Sequence, residues 1–326
     1  MIGPAAGFAA EAGKFRHPAL FYRTDQDYLD GLLPFVTDGV AGGEPVAVAV
    51  PGPRLQLLAD AMDSAGREAV TFIDMTEAGR NPGRIIATVL LRFADAHRGR
   101  PVRIVGEPVW PGRTAVEHPA CAQHEALINA AFAGRDATIV CPYDAARLEK
   151  HALRDAYATH PLIWDGQRRY ASDRYAPEAV VDRYNQPLPS QGATYQVDSA
   201  DDIPDARQRA TAYARQLGLP VARLPELGLI ATELATNSVL HANGRCRLRV
   251  WREEDHLVCE VADAGQLTDP LAGRRTPPRW QPHGRGLLLV HQLADLVRTH
   301  TSPGGTTQQA LLRIETTTSP PEDVGH

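Results

Sequence analysis

Thr232-Glu-Leu-Ala-Thr-Asn-Ser-Val-Leu-His241 repeats a polar residue at every fourth position, Glu233, Asn237 and His241. At ~3.6 residues per turn this predicts one polar stripe on a helix over 224–241, with Leu227, Ala231 and Leu234 on a neighbouring face that packs on a sheet. A carboxylate one turn from an amide suits metal-assisted phosphate chemistry, because the amide oxygen can ligate magnesium and the carboxylate can accept a proton. The same spacing also describes a solvated helix face closed by an i,i+4 hydrogen bond, so alone it decides nothing.

Three more motifs lie downstream. Asp263-Ala264-Gly265 follows a strand-like run; there a carboxylate can accept from an exocyclic amine, and a glycine lets a flat ring approach the backbone. His283-Gly-Arg-Gly-Leu-Leu-Leu-Val290 sets two glycines before a helix, whose free amides face an anion. Gly304-Gly305-Thr306-Thr307 then leads into a last strand. Around these, 205–217 reads as a helix closed by Gly218, 246–251 and 257–262 as a hairpin, 286–296 as a helix and 306–314 as a strand. Helices and strands in separate runs predict an α+β sandwich, one mixed sheet with helices on one face.

In this order and these contexts, the four motifs resemble the N box, the two glycine boxes and the closing Gly-Thr motif of the GHKL (Bergerat, HATPase_c-type) ATP-binding fold, over about residues 196–315. The short stretch between Gly265 and Gly284, and the run from Gly284 to Asp295, are most similar to the anti-sigma-factor serine kinases. The resemblance implies ATP and Mg²⁺ as cofactors. By it, Asn237 holds Mg²⁺, Glu233 is the general base and Asp263 binds the adenine amine. Gly265, Gly284 and Gly286 shape the phosphate pocket, Arg285 and Leu287 also bind the cofactor, and Thr306 helps fix the adenine. His241 is expected to be a packed or hydrogen-bonded structural residue rather than a phosphoacceptor. The chain departs from the pattern where Gln266-Leu267 follows Gly265 in place of a second glycine, and where the lid 268–283 carries Pro270, Pro277, Pro278 and Pro282. A sensor histidine kinase would need a two-helix segment with a phosphoaccepting histidine just before the ATP domain. Here that place is turn-rich, and His124-Glu125 lies too far back.

Before residue 170 the pattern changes. Short apolar runs at 46–50, 70–73, 102–105 and 138–141 alternate with helical patterns at 28–40, 54–65, 83–96 and 121–132, which predicts a parallel sheet covered on both faces. His17-Pro-Ala-Leu-Phe-Tyr22, Gly106-Glu-Pro-Val-Trp110, Glu125 with Asn129, Cys141-Pro-Tyr-Asp144 and His160-Pro161 resemble the MEDS sensory domain, a three-layer, RecA-like α/β module. No Gly-x-x-x-x-Gly-Lys-[Ser/Thr] loop is present, so this half is better suited to binding than to ATP chemistry. His17, Glu107, Glu125, Tyr143 and Asp144 are its candidate sensory site, expected at the carboxyl ends of the strands with a small-molecule ligand. A buried structural hydrogen bond between His17 and Glu107 would account for the same residues.

Length and composition agree with two folded domains: 326 residues, 43% hydrophobic and 22% charged. The expected division is 15–170 sensory, 171–195 linker around Pro187, Pro189, Ser190, Gln191 and Gly192, 196–316 ATP-binding and 317–326 tail, with residues 1–14 a second tail. A net charge of -5 gives no broad basic surface for nucleic acid. No apolar run approaches the ~20 residues of a membrane span, and no signal peptide opens the chain, so a cytoplasmic protein is expected. Cys121, Cys141, Cys246 and Cys259 include no CxxC pair and are expected to be reduced, the last two as small buried hydrophobes. The expected function is an ATP-dependent signalling regulator. Its partners would be a sigma factor or a STAS-type anti-anti-sigma factor phosphorylated on serine or threonine, with room for a homodimer. The alternative is a non-catalytic, ATP-dependent module that sequesters its partner.

Overall fold

The computed structural model describes residues 15–242, 244–277 and 284–314. The two expected tails, and Pro278, Pro282 and His283 of the lid, lie outside the described residues. The described residues separate into two compact units, one ending at Tyr184 and the other beginning at Asn185.

The first unit is a seven-stranded sheet: β1 (Pro18–Tyr22), β2 (Val46–Val50), β3 (Val70–Asp74), β4 (Val102–Gly106), β5 (Ala137–Asp144), β6 (Leu162–Asp165) and β7 (Arg168–Ala171), in spatial order β3-β2-β4-β5-β1-β6-β7. All neighbours are parallel except β6 and β7, which form a hairpin turning on Gly166. Every residue of β1 and β2 is buried, as strands covered on both faces require. Its helices include α1 (Asp25–Ala41), α2 (Gly52–Asp60), α3 (His118–Ala131), α4 (Lys150–Thr159) and α5 (Pro177–Arg183). A capping box at Thr24 and Asp27 starts α1, whose Tyr28, Leu32 and Val36 pack on Leu20, Val48 and Val140. The helical run at 82–96 has a π-wound middle, Ile86–Leu91, where one uniform helix was expected. The stretch 171–184, expected to open a linker, instead carries α5, whose Val180 packs on Ala122, Ala126 and Ala158.

The second unit holds β8 (Ala193–Val197), α6 (Ile203–Gln216), α7 (Leu224–His241), β9 (Cys246–Glu253), β10 (His256–Asp263), α8 (Gly286–Leu293), β11 (Leu296–Ser302) and β12 (Gly305–Arg313). The sheet order is β11-β12-β10-β9-β8. Every neighbouring pair is antiparallel, which corrects the expected mixed sheet: β9-β10 and β11-β12 are hairpins, and β12 runs against β10 as well. One face packs on the helices through Leu248, Val250, Cys259 and Val261 against Ala210, Leu227, Ala231, Leu234 and Val290. Leu227, Ala231 and Leu234 thus occupy the sheet-facing side that the spacing predicts. On the opposite face the buried Glu260 carboxylate accepts from Ser190 Oγ and Gln309 Nε2, each at 2.8 Å, and pairs with Arg249 at 2.8 Å. Gln309 Nε2 also donates to the Pro189 carbonyl at 2.8 Å, so residues expected in a linker are bonded to the sheet.

Candidate functional site

Helix α7, the end of β10, the start of α8 and the start of β12 surround a cleft of about 1160 Å³. Glu233, Asn237, Asp263, Gly265, Gly284, Arg285, Gly286, Leu287 and Thr306 all line it, together with Gln266–Asp269 and Leu271–Gly273 of the lid. Asp263 is fixed by two donors: Ser238 Oγ gives a hydrogen bond to Oδ2, and the Gly265 amide one to Oδ1 at 2.8 Å. Each carboxylate oxygen keeps a lone pair for a further donor. Thr306 Oγ1 donates to the Gly265 carbonyl at 2.8 Å and accepts from the Leu267 amide at 3.2 Å, so it ties β12 to the loop after β10. A Cβ at Gly265 would lie 2.6 Å from that of Ala242, so only glycine lets this loop pass so close to α7.

The phosphate side is shaped by backbone. Gly284 takes φ +96°, a left-handed conformation that glycine adopts without strain. Arg285 then enters α8 without a side-chain cap, which leaves the first-turn N–H groups of α8 as donors at the positive end of the helix. A Cβ on Gly286 would overlap the Glu233 carboxylate and come within 3.5 Å of Asn237 Nδ2. The catalytic candidate is thus seated against the start of α8. Asn237 Nδ2 is buried without a hydrogen-bond partner. An amide so placed can present its oxygen to a cation just as well. His241 is exposed at the rim of the cleft, which corrects the expected packed role: α7 ends there, and the side chain falls beyond the core.

In the first unit the five sensory candidates do not converge. Side chains alternate along a strand, so neighbours Tyr143 and Asp144 of β5 must point to opposite faces. Glu107 and Asp144 lie on the α1 side, where Tyr22 Oη donates to Glu107 Oε1 at 3.0 Å and Arg54 lies over the rings of Tyr22 and Tyr28. Burial, with the Asp144 charge adding to it, raises the Glu107 carboxyl to about 8 despite Tyr22 and Arg54. Asp144 also caps its own turn, accepting from the Ala146 and Arg147 amides. The expected alternative of a bond between His17 and Glu107 is not formed. His17 instead meets Asn129 Oδ1 at 3.2 Å.

On the other face His17, Glu125, Cys141 and His160 bring their ligand atoms within 4.8 Å of one another, all buried. His17 Nε2 and His160 Nε2 lie 3.3 and 3.4 Å from Glu125 Oε2, and Cys141 Sγ lies 3.4 Å from His17 Nε2. The Tyr143 ring stands edge-on to His160 at 5.5 Å. Burial and the neighbouring His160 lower His17 to about 4. Cys141 and His160 begin two of the motifs that point to this domain, but sequence spacing gives no hint that they share a site with His17. All four cysteines are free and buried.

Comparison with known proteins follows the same division. Residues 16–161 match the MEDS family, the methanogen/methylotroph DcmR sensory domain, and residues 197–310 match the histidine kinase-like ATPase domain. A curated anti-sigma F factor of Pasteuria penetrans is 28% identical over 124 residues, covering 34% of this chain and 81% of its own. Among solved structures, a chain of the SiaB-SiaC complex from Pseudomonas aeruginosa has a TM-score of 0.31 at 13% identity, covering 37% of this chain and 88% of its own. The Acinetobacter baumannii histidine kinase AdeS has a TM-score of 0.25 at 9% identity, covering 61% of this chain and 96% of its own. No helix among the described residues is long and apolar enough to cross a membrane. The chain accordingly joins a MEDS-family domain to a domain of the histidine kinase-like ATPase family.

Proposed function

We propose that this chain is an ATP-binding signalling regulator, an anti-sigma factor that phosphorylates serine or threonine on a STAS-type anti-anti-sigma partner, under control of its MEDS domain. The observation that carries the reading is the cleft shared by Asp263, Asn237, Glu233 and the uncapped start of α8. Its parts suit the pieces of Mg-ATP in turn. Asp263, held by Ser238 and Gly265, has acceptor capacity for the adenine amine. The α8 amides and Gly284 suit phosphate, and the buried, unpartnered Asn237 amide suits Mg²⁺. Bound Mg-ATP supplies the phosphoryl group and neutralises charge on it. Glu233 then takes the proton of the attacking hydroxyl, and Gly286 leaves the space in which its carboxylate sits. The similarity to an anti-sigma F factor supports the choice of partner.

Glu233→Gln tests the reading, because it keeps the shape and removes the proton acceptor. ATP affinity should stay within a few-fold, while transfer of labelled phosphate to a co-purified STAS-type partner falls about 10²-fold or more. Asn237→Ala should weaken Mg-ATP binding as well. If the wild-type chain transfers nothing to such a partner, yet its grip on the partner depends on ATP, it is a sequestering module and not a kinase.

A further inference from the structure

We propose that His17, Glu125, Cys141 and His160 form a buried site for one divalent first-row transition-metal ion of the zinc class. The argument starts from the outer nitrogens of the two imidazoles. His160 Nδ1 lies 2.9 Å from the Ala156 carbonyl, which can only accept, so Nδ1 carries the proton. Thr159 Oγ1, 2.9 Å from the same nitrogen, donates its own proton to the Asp155 carbonyl and agrees with that tautomer. His17 Nδ1 faces Asn129 Oδ1, and the orientation of that amide is set by its Nδ2, which donates to the carbonyls of Glu125, Ala126 and Thr159. With Nδ1 turned outward on both rings, each Nε2 is directed at the same carboxylate oxygen.

A buried carboxylate ringed by two imidazoles and a thiol is the donor set that a divalent cation takes. Glu125 Oε1 and Oε2 and His160 Nε2 are buried without a hydrogen bond of good geometry, although Tyr143 and Cys141 as well as the two imidazoles approach the carboxylate. The separations of 3.3 to 3.4 Å exceed the ~2.7–2.9 Å of a charge-assisted hydrogen bond. These three separations are close to the edges of a tetrahedron whose centre lies ~2.0–2.3 Å from N, O and S, the bond lengths of zinc, and the full set, spread within 4.8 Å, would draw together on an ion. Two neutral imidazoles, one carboxylate and one thiolate also neutralise a divalent cation, as a site without solvent demands. The outward contacts of Nδ1 with the Ala156 carbonyl and Asn129 Oδ1 hold each ring in its orientation.

The site joins the entry to β1, helix α3, strand β5 and the turn between α4 and β6, so an ion there would tie four separate segments together. It is independent of the nucleotide reading, and its test needs no ATP. The full chain, purified through chelating resin, should retain about one equivalent of zinc by elemental analysis. After removal of the metal, added Co²⁺ should give the intense visible absorption of four-coordinate cobalt, with a near-ultraviolet thiolate charge-transfer band. Cys141→Ser should abolish that band, Cys121→Ala should leave it, and His17→Gln should weaken Co²⁺ binding by tenfold or more. A folded wild-type chain with neither stoichiometric metal nor cobalt absorption overturns the proposal, whatever the variants do. A cobalt spectrum that Cys141→Ser leaves unchanged overturns it equally.

Discussion

The Ser238 hydroxyl donates to Asp263 Oδ2, so the last turn of α7 is bonded to the end of β10 at the carboxylate that faces the cleft. Replacing Asp263 with Asn puts an NH₂ where an adenine amine needs an acceptor, and gives Ser238 one fewer acceptor oxygen. Losing a hydrogen bond to a charged group costs about 1.5–3 kcal/mol, or roughly ten- to a hundredfold in ATP affinity. Calorimetry on Asp263→Asn should show that loss. Ser238→Ala, which only loosens the carboxylate, should lose less. Unchanged affinity in Asp263→Asn removes the adenine assignment.

Gly286 has no room for a methyl group while Glu233 keeps its position. Gly286→Ala should therefore lower phosphate transfer by displacing the carboxylate, even though alanine is the better helix former by ~1 kcal/mol. In the double variant with Glu233→Ala the clash disappears, and the alanine should become neutral or stabilising. A thermal-denaturation cycle on the four proteins measures the coupling. Additive effects would mean that the two positions do not touch.

The Glu107 carboxyl, raised to about 8, makes the MEDS unit sensitive to alkali. Its folded pKa lies above the ordinary 4.5, so the folded state holds a proton that the unfolded chain has released. That contribution is complete below pH ~4.5 and is lost as pH rises toward 8, at up to about 1.4 kcal/mol per pH unit. Urea midpoints followed by near-ultraviolet circular dichroism should fall between pH 5 and 8 in the wild type. Glu107→Gln should flatten the fall. An equal fall in both proteins would place its origin elsewhere.

A fragment starting at Asn185 should be more stable than one starting at Gln191. Only the first keeps the Ser190 hydroxyl on buried Glu260 and the Pro189 carbonyl on Gln309. Hydrogen bonds to a buried charge make the difference about 1–3 kcal/mol, measurable by chemical denaturation. Equal stability would show that this segment contributes nothing to the unit.

Much of this architecture was legible because local signals were strong. The helix over 224–241 and the four buried strands of the first unit announce themselves by period and by apolar runs. β11 was hidden because Gly286 to Leu296 reads as one apolar helix with no glycine or proline to stop it. The chain turns extended at Ala294, where Asp295 accepts from Arg223 and from the Arg313 amide. β8, Ala-Thr-Tyr-Gln-Val, is an edge strand whose polar residues read as loop. β1 was masked by its opening proline, which sits at the first strand position, where the ladder tolerates it. The cleft between α7 and α8 could be read because its residues come in ordered motifs. The His17-Glu125-Cys141-His160 cluster could not, since its members lie up to 143 positions apart and meet only through the pairing of β1 with β5 and β6.

The strap formed by Pro189 and Ser190 bears on how such proteins are assembled in evolution. A gene fusion that cut at the turn-rich stretch near residue 190 would leave the donor's strap behind and uncover a carboxylate on the far side of the sheet. Recombination that grafts the second unit onto another domain would keep the strap when the crossover falls upstream of Asn185. The transplanted unit then carries its own short leader, and the apparent spacer in the sequence travels with the second unit.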